Sequence, residues 1–320
     1  MTMIGESSEE YMDGQRVLVT GGAGFIGSNL ANHLAADNDV VAIDDLYLGT
    51  PDNLDDAVEF REASVLDDDL PTDVDCLFHL AALSSLTMHE QSIEGLREGV
   101  RVNVEGFANT VEQARQDGCE TVVYASTSSI YGDRTEPSPE DMPVEARTGY
   151  EASKLARERY AEYFRNRHDI SMAGLRFFSV YQGYRGAEAH KGEYANIVAQ
   201  FADDLASGEA PLIYGDGTHT RDLTHVEDIV RGIEAAADHR LTGVYNLGTG
   251  SSYSANEIVE MLNRELGTDI EPEHTENPIP EDIFVNDTMA DPSKMTRATG
   301  WEPATSFEEG VRKVCAPYKD

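Results

Sequence analysis

The stretch Val17-Leu18-Val19-Thr20-Gly21-Gly22-Ala23-Gly24-Phe25-Ile26-Gly27 decides the fold. It reads as a buried strand, a glycine turn and the first turn of a helix. Gly22, Gly24 and Gly27 satisfy G-x-G-x-x-G, and Gly21, Gly24 and Gly27 satisfy the variant G-x-x-G-x-x-G. Glycines at this spacing let a backbone approach a pyrophosphate closely, on a helix end whose N–H groups are unpaired. The context matters more than the motif. An apolar strand precedes the turn, and Phe25, Ile26, Leu30 and Leu34 follow it at helical spacing. A second apolar run, Val40-Val41-Ala42-Ile43, ends in Asp44 and Asp45, where an acidic residue can hold a ribose diol. The pattern predicts a dinucleotide site.

Working outward, strand-like and helix-like segments alternate. Strands are expected at 15–20, 39–43, near 58–61, 74–80, 121–125 and 171–178. Helices are expected at 25–36, 94–117 and 150–168. Strands alternating with helices of this length indicate a parallel, doubly wound sheet of the Rossmann type, with every strand's C-terminal end on one edge. After Tyr181 glycines punctuate shorter elements, and prolines cluster between 272 and 303. The expected organisation is therefore a loose acidic leader over 1–14 and a dinucleotide-binding domain over 15–180, to which 225–249 returns. A smaller C-terminal α/β substrate lobe is built from 181–224 and 250–320.

The net charge is −36, from 60 acidic and 24 basic residues, and only five of the bases are Lys. Self-repulsion on this scale destabilises a compact state unless salt screens it. The composition resembles that of proteins from a salt-rich cytoplasm. Nucleic acid and anionic membranes are excluded as natural partners for such a charge. No apolar run approaches the roughly 18 residues needed to span a bilayer, and no signal peptide is visible, so a cytoplasmic location is expected. Cys76, Cys119 and Cys315 have neither disulfide-framework nor zinc spacing. No metal is expected.

The strand ends carry the chemistry. In Tyr150-Glu151-Ala152-Ser153-Lys154 a phenol and an ammonium share one helix face. An ammonium near a phenol lowers its pKa, and such a phenol can take a proton from a sugar hydroxyl near neutral pH. Ser126-Thr127-Ser128-Ser129 follows an apolar strand, where hydroxyls can donate to a developing oxyanion.

With these motifs the chain resembles an extended short-chain dehydrogenase/reductase of the nucleotide-sugar epimerase and dehydratase family. The resemblance runs from residue 15 to 315. It includes Thr20–Gly27, Asp44–Leu46, His79–Ala82, Asn103–Gly106, Ser126–Gly132, Tyr150–Lys154 and Leu175–Phe178. It continues through Gly215–Gly217, Arg221-Asp222, Val226–Asp228, Asn246–Gly250, Ala290–Lys294 and Gly300–Pro303. It implies that Tyr150 is the catalytic base, that Lys154 holds the nicotinamide ribose, and that Thr127 hydrogen-bonds the reacting sugar oxygen. Asp44 would take the adenosine ribose, with Asp45 beside it, favouring NAD over NADP because a 2′-phosphate would meet its charge. Further cofactor contacts are implied for Gly21, Gly24, Phe25, Ile26, Gly27, Leu46, Ser64 and Val65. Leu80, Ala81, Ala82, Ser84, Asn103, Ser126 and Phe177 complete them. For the substrate, Arg221 and Asn196 would meet the diphosphate, and Ser128, Ser129 and Ser179 would lie nearby.

The implied activity is epimerisation of a nucleotide-diphosphate sugar, of the UDP-glucose 4-epimerase type, by a homodimer paired through helices 94–117 and 150–168. Thr127 is followed by Ser128 and Ser129 where dehydratases and decarboxylases of the family keep an acid, which weighs against both reactions. Ser64, Ser179 and Ile279 stand where Asp, Asn and Arg are common, so the nucleotide ends are expected to be held differently. His190-Lys191-Gly192 resembles the manno-heptose 6-epimerase branch, which makes Lys191 a candidate second acid/base. A net NAD(P)-dependent reductase and a non-catalytic dinucleotide-binding protein are the competing classes.

Overall fold

The computed structural model describes residues 12–83, 92–278, 280 and 284–319. Seven parallel strands form the central sheet: β1 (Arg16–Thr20), β2 (Asp39–Asp44), β3 (Glu59–Glu62), β4 (Cys76–His79), β5 (Thr121–Thr127), β6 (Ser171–Phe177) and β11 (Gly243–Leu247). Their spatial order is β3-β2-β1-β4-β5-β6-β11, so the order reverses between β1 and β4. Ligands of doubly wound sheets bind at this reversal, outside the carboxyl ends of the strands. The period-2 alternation of the strands explains the two-sided core. Val17 and Val19 face one apolar layer, which helices Phe25–Leu34 and Val226–Asp238 cover. Leu18 faces the other, which helices Gly106–Asp117 and Gly149–His168 cover.

Three small two-stranded pairs lie outside this sheet. β7 (Val180–Tyr181) runs with β10 (Thr224–His225), β8 (Leu212–Tyr214) with β13 (Glu273–Thr275), and β9 (Thr220–Asp222) against β12 (Ser252–Ser254). A separate apolar cluster joins helices Ile197–Ser207, Ala255–Leu266 and Phe307–Cys315. Buried carboxylates tie these later segments together. Asp222 accepts from the backbone N–H groups of Thr249, Gly250 and Ala290 at 2.8–2.9 Å. Asp228 accepts from those of Ala304 and Thr305 at 2.9 and 3.0 Å.

Two local features depart from the sequence reading. The end of the supposed leader is tied down, because Met12 is buried in the main core and its N–H donates to Asp238 at 2.9 Å. The single helix expected over 94–117 is three pieces: Ile93–Val100, a π-helical turn Arg101–Glu105, and Gly106–Asp117. The wider turn carries Asn103, whose side chain holds both the N–H and C=O of Leu83, at 2.9 and 3.0 Å, and reaches Ser153 Oγ at 3.0 Å. π-turns of this kind are uncommon and concentrate at functional sites.

Candidate active site

A cavity of about 430 Å³ crosses the carboxyl ends of β2, β1, β4, β5 and β6. Gly21, Gly24, Phe25, Ile26 and Gly27 line its middle, Asp44 and Asp45 one end, and Thr127, Tyr150, Lys154 and Ser179 the other. From β2 to β5 is three strand spacings, about 14 Å, which suits an extended dinucleotide.

The glycines divide by what they are for. Gly21 has φ +67°, and a Cβ there would lie 2.7 Å from the Ala81 nitrogen. A Cβ on Gly22 would lie 2.6 Å from Ala42 Cβ, and one on Gly27 only 2.0 Å from the Gly21 oxygen. These three are demanded by the packing of turn, strand and helix. Gly24 is different: its φ is −77°, and a Cβ would meet only the Gly21 oxygen, at 3.2 Å. That one tight contact is far less crowding than at the other three, so packing alone demands glycine least at this position. Gly24 also starts the helix with no side-chain cap, leaving first-turn N–H groups for an anion.

Asp44 is buried at the end of β2. One carboxylate oxygen accepts from Ala23 N–H at 3.1 Å and the other from Leu46 N–H at 2.9 Å. Burial pushes its carboxyl up, and those N–H bonds oppose the rise. The carboxylate retains acceptor capacity beyond these bonds, which suits a ribose hydroxyl. Gly49, which sequence reasoning missed, leaves room here: a Cβ would lie 2.7 Å from the carboxylate. These features fit NAD.

At the other end, Thr148 caps helix Gly149–His168 by accepting from Glu151 N–H, which places Tyr150 in the first turn. Tyr150 hydrogen-bonds Thr127, whose hydroxyl lies 3.0 Å from Ser129 Oγ. The Lys154 ammonium is buried, donates to the Ala125 carbonyl at 3.3 Å and lies 5.6 Å from the Tyr150 ring centre. Burial holds that ammonium well below the usual lysine range. The expected depression of the Tyr150 phenol is not what the structure shows. Burial raises it, and the opposing influences are the Thr127 hydrogen bond and the Arg157 guanidinium. Arg157 is fully buried and donates to the Ala81 carbonyl at 2.8 Å and to the Asn103 carbonyl. It went unnoticed in the sequence, although positions 150, 154 and 157 share one helix face. Ser126 is anchored through Glu158, which accepts from its hydroxyl at 2.6 Å and forms a two-point ion pair with Arg176 at 2.8 and 2.9 Å.

Of the remaining expected cofactor residues, Val65, Leu80, Ala81, Ala82, Ser126 and Phe177 line the cavity. Leu46, Ser64 and Asn103 do not. Leu46 donates its N–H to Asp44, Ser64 Oγ accepts from Leu66 N–H at 3.3 Å, and Asn103 holds Leu83. Ser84 and Ile279 lie outside the described residues. Of the expected substrate residues only Ser179 lines the cavity; Ser128, Ser129, Asn196 and Arg221 do not. Asn196 caps helix Ile197–Ser207 through Val198 N–H and donates to the Val180 carbonyl at 3.1 Å. Arg221 Nη1 donates to the Thr220 and Asn286 carbonyls at 2.9 and 2.6 Å. Lys191 and His190, by contrast, do line the cavity.

A model of the NAD dependent epimerase/dehydratase family matches residues 17–248. The chain is 33% identical over 319 residues to a UDP-glucose 4-epimerase of Mycolicibacterium smegmatis, covering 95% of this chain and 99% of that one. It is 27% identical over 317 residues to UDP-glucuronic acid decarboxylase 6 of Arabidopsis thaliana, covering 95% and 89%. The UDP-glucose 4-epimerase of Thermotoga maritima, solved with UDP-glucose, superposes with a TM-score of 0.86 at 29% identity, covering 95% and 98%. A Rossmann-type sheet, a glycine turn backed by Asp44, and Tyr150 joined to Thr127 above a buried Lys154 agree with that match: the chain belongs to the NAD dependent epimerase/dehydratase family and is an NAD-dependent enzyme.

Proposed function

We propose that the protein epimerises a nucleotide-diphosphate sugar, with a UDP-hexose inverted at C4 as the reaction the site suits best. The observation that carries this reading is the reacting end of the cavity, which offers a phenol, hydroxyls and an ammonium. Among the described residues, the carboxylates that line the cavity, Asp44 and Asp45, both belong to the far end. Dehydration or decarboxylation of a sugar ring calls for an acid or base beyond the Tyr150–Thr127 pair, and Ser128 and Ser129 stand where it would be. When bound, NAD supplies a hydride acceptor and then a hydride donor. Tyr150 takes the proton from the C4 hydroxyl and later returns it. Thr127 hydrogen-bonds the same oxygen and so keeps it beside the phenol as the keto sugar turns its other face. Lys154, fixed on the Ala125 carbonyl, orients the nicotinamide ribose. Ser179, in the cavity wall, is assigned to the substrate diphosphate; Arg221 lies outside that wall, and its remaining guanidinium nitrogens would meet the diphosphate only if the substrate extends beyond the cavity. Epimerisation at C6, with Lys191 as a second acid/base, is the alternative that the presence of Lys191 in the cavity favours.

The same proposal includes a homodimer and a cytoplasmic location. Val100 on helix Ile93–Val100 and Tyr160 and Tyr163 on helix Gly149–His168 are exposed apolar side chains, consistent with pairing across a two-fold axis. The deciding experiment incubates UDP-, dTDP-, GDP- and ADP-sugars with the enzyme in molar KCl and follows the anomeric signals by NMR. The expected result is a C4 epimer with no net change in absorbance at 340 nm, abolished in Tyr150→Phe. Net NADH production, or full activity in Tyr150→Phe, refutes the proposal.

A further inference from the structure

Among the described residues, two Lys or Arg side chains line the cavity, Lys154 and Lys191. Lys154 is committed to the Ala125 carbonyl and the Tyr150 ring. Lys191 arrives from a strap, the 3₁₀ segment Ala189–Tyr194 kinked at Gly192, and its ammonium sits 5.2 Å from the centre of the Phe25 ring. Phe25 is the first residue of the uncapped helix after Gly24. The cavity's other cation therefore lies beside the side chain of the residue that opens this helix.

The strap is held there by its own chemistry. Glu188 is fully buried and accepts from the N–H groups of Gln182, Gly183 and Asn196 at 2.7, 2.8 and 3.0 Å. The Lys191 ammonium forms an ion pair with Glu188 at 3.7 Å, longer than an ordinary hydrogen bond, so Glu188 positions the ammonium without enclosing it. His190 Nδ1 meets the Asn53 amide at 3.1 Å, and Gln182 and Asn29 exchange two amide hydrogen bonds at 2.9 and 3.1 Å. These contacts pin the strap to the glycine-turn side of the molecule. The need for a local cation follows from the charge: a dianionic pyrophosphate must enter a chain carrying −36, past Asp44 and Asp45.

We propose that Lys191 is a cofactor-retaining residue that binds the pyrophosphate of the dinucleotide and, with its strap, keeps the cofactor in place between the two hydride transfers. This assigns Lys191 to the cofactor rather than to proton transfer at the sugar. It rests on the family's NAD site and not on the identity of the sugar.

The test measures binding without any sugar, in fixed salt, by fluorescence and calorimetric titration of NADH, ADP-ribose, UDP and adenosine. Loss of a charge-assisted hydrogen bond should weaken NADH and ADP-ribose in Lys191→Met by about tenfold to a hundredfold. Lys191→Arg, which keeps the charge, should restore most of that affinity. UDP and adenosine should bind as to the unaltered protein. Unchanged NADH affinity in Lys191→Met overturns the proposal. So does a loss confined to UDP, which would place the ammonium on the substrate diphosphate, and so does loss of kcat at saturating NAD in both variants, which would make Lys191 an acid/base. An unaltered protein that fails to bind NADH would instead refute the cofactor site itself.

Discussion

The distinction between Gly24 and Gly27 can be tested directly by placing a methyl group at each. At Gly27 the added carbon would sit 2.0 Å from the Gly21 oxygen and 2.8 Å from the Gly21 carbonyl carbon. Both are backbone atoms, so the helix must shift away from the turn. Overpacking of this kind costs about 1–3 kcal/mol or more, and Gly27→Ala should lose both stability and cofactor affinity. At Gly24 the backbone already has a conformation open to alanine, and the nearest atom is 3.2 Å away. Replacing glycine at a compatible site stabilises by about 0.4–1 kcal/mol through the unfolded chain, which offsets the slightly tight contact. Gly24→Ala should therefore unfold within about 0.5 kcal/mol of the unaltered protein. Its methyl group nevertheless occupies space the pyrophosphate needs, at a cost of about 1–3 kcal/mol, or about fivefold to a hundred-and-fiftyfold in Kd. Guanidinium unfolding of the cofactor-free protein at constant salt gives the first quantity, and NADH titration gives the second. If Gly24→Ala binds NADH as tightly as the unaltered protein, the pyrophosphate does not lie over Gly24. If it is destabilised as much as Gly27→Ala, the division of the glycines is wrong.

Two further outcomes are expected. Arg157 favours the Tyr150 phenolate, so removing its charge raises the Tyr150 pKa; the alkaline rise of kcat/KM should move to higher pH in Arg157→Met, and Arg157→Lys should largely reverse the shift. A pH profile that does not move would show that Arg157 only braces the Ala81 and Asn103 carbonyls. Glu158→Gln leaves the buried Arg176 without its carboxylate and should cost about 3–5 kcal/mol in denaturant unfolding, whereas replacing both partners with apolar residues should recover most of that loss. Equal losses in the single and paired variants would contradict this.

Much of the fold was legible because its signals are periodic along the chain. Alternating apolar residues announce the strands, the glycine turn announces the first crossover, and Asp44 follows at the expected distance. The apolar run at 243–247 is paired with β6 at the sheet's edge. Thr127 was legible from its place at the end of a strand, and Tyr150 and Lys154 from their four-residue spacing on a helix; all three line the cavity. What spacing does not carry is the direction of a polar side chain. Asn196 and Ser64 have the right chemistry for a ligand, but each closes a turn or caps a helix within its own neighbourhood. Arg157 and Glu188 escaped notice for the converse reason. A buried charge looks like any surface charge in a chain with 60 acidic residues, and its meaning appears only with the carbonyl or N–H groups it meets.

The π-turn at Arg101–Glu105 bears on how this protein can change over time. It is a surplus residue in an otherwise regular helix, and an α-helix advances about 100° per residue. Deleting one position beside Asn103 within 101–105 would restore regular winding and turn Asn103 away from Leu83, while the Arg157 guanidinium would lose the Asn103 carbonyl. The loop after β4 and the helix bearing Tyr150 are thus phase-locked through a single winding defect. Substitutions along this helix can be absorbed locally. A one-residue deletion cannot, and length is therefore expected to be under tighter constraint here than side-chain identity.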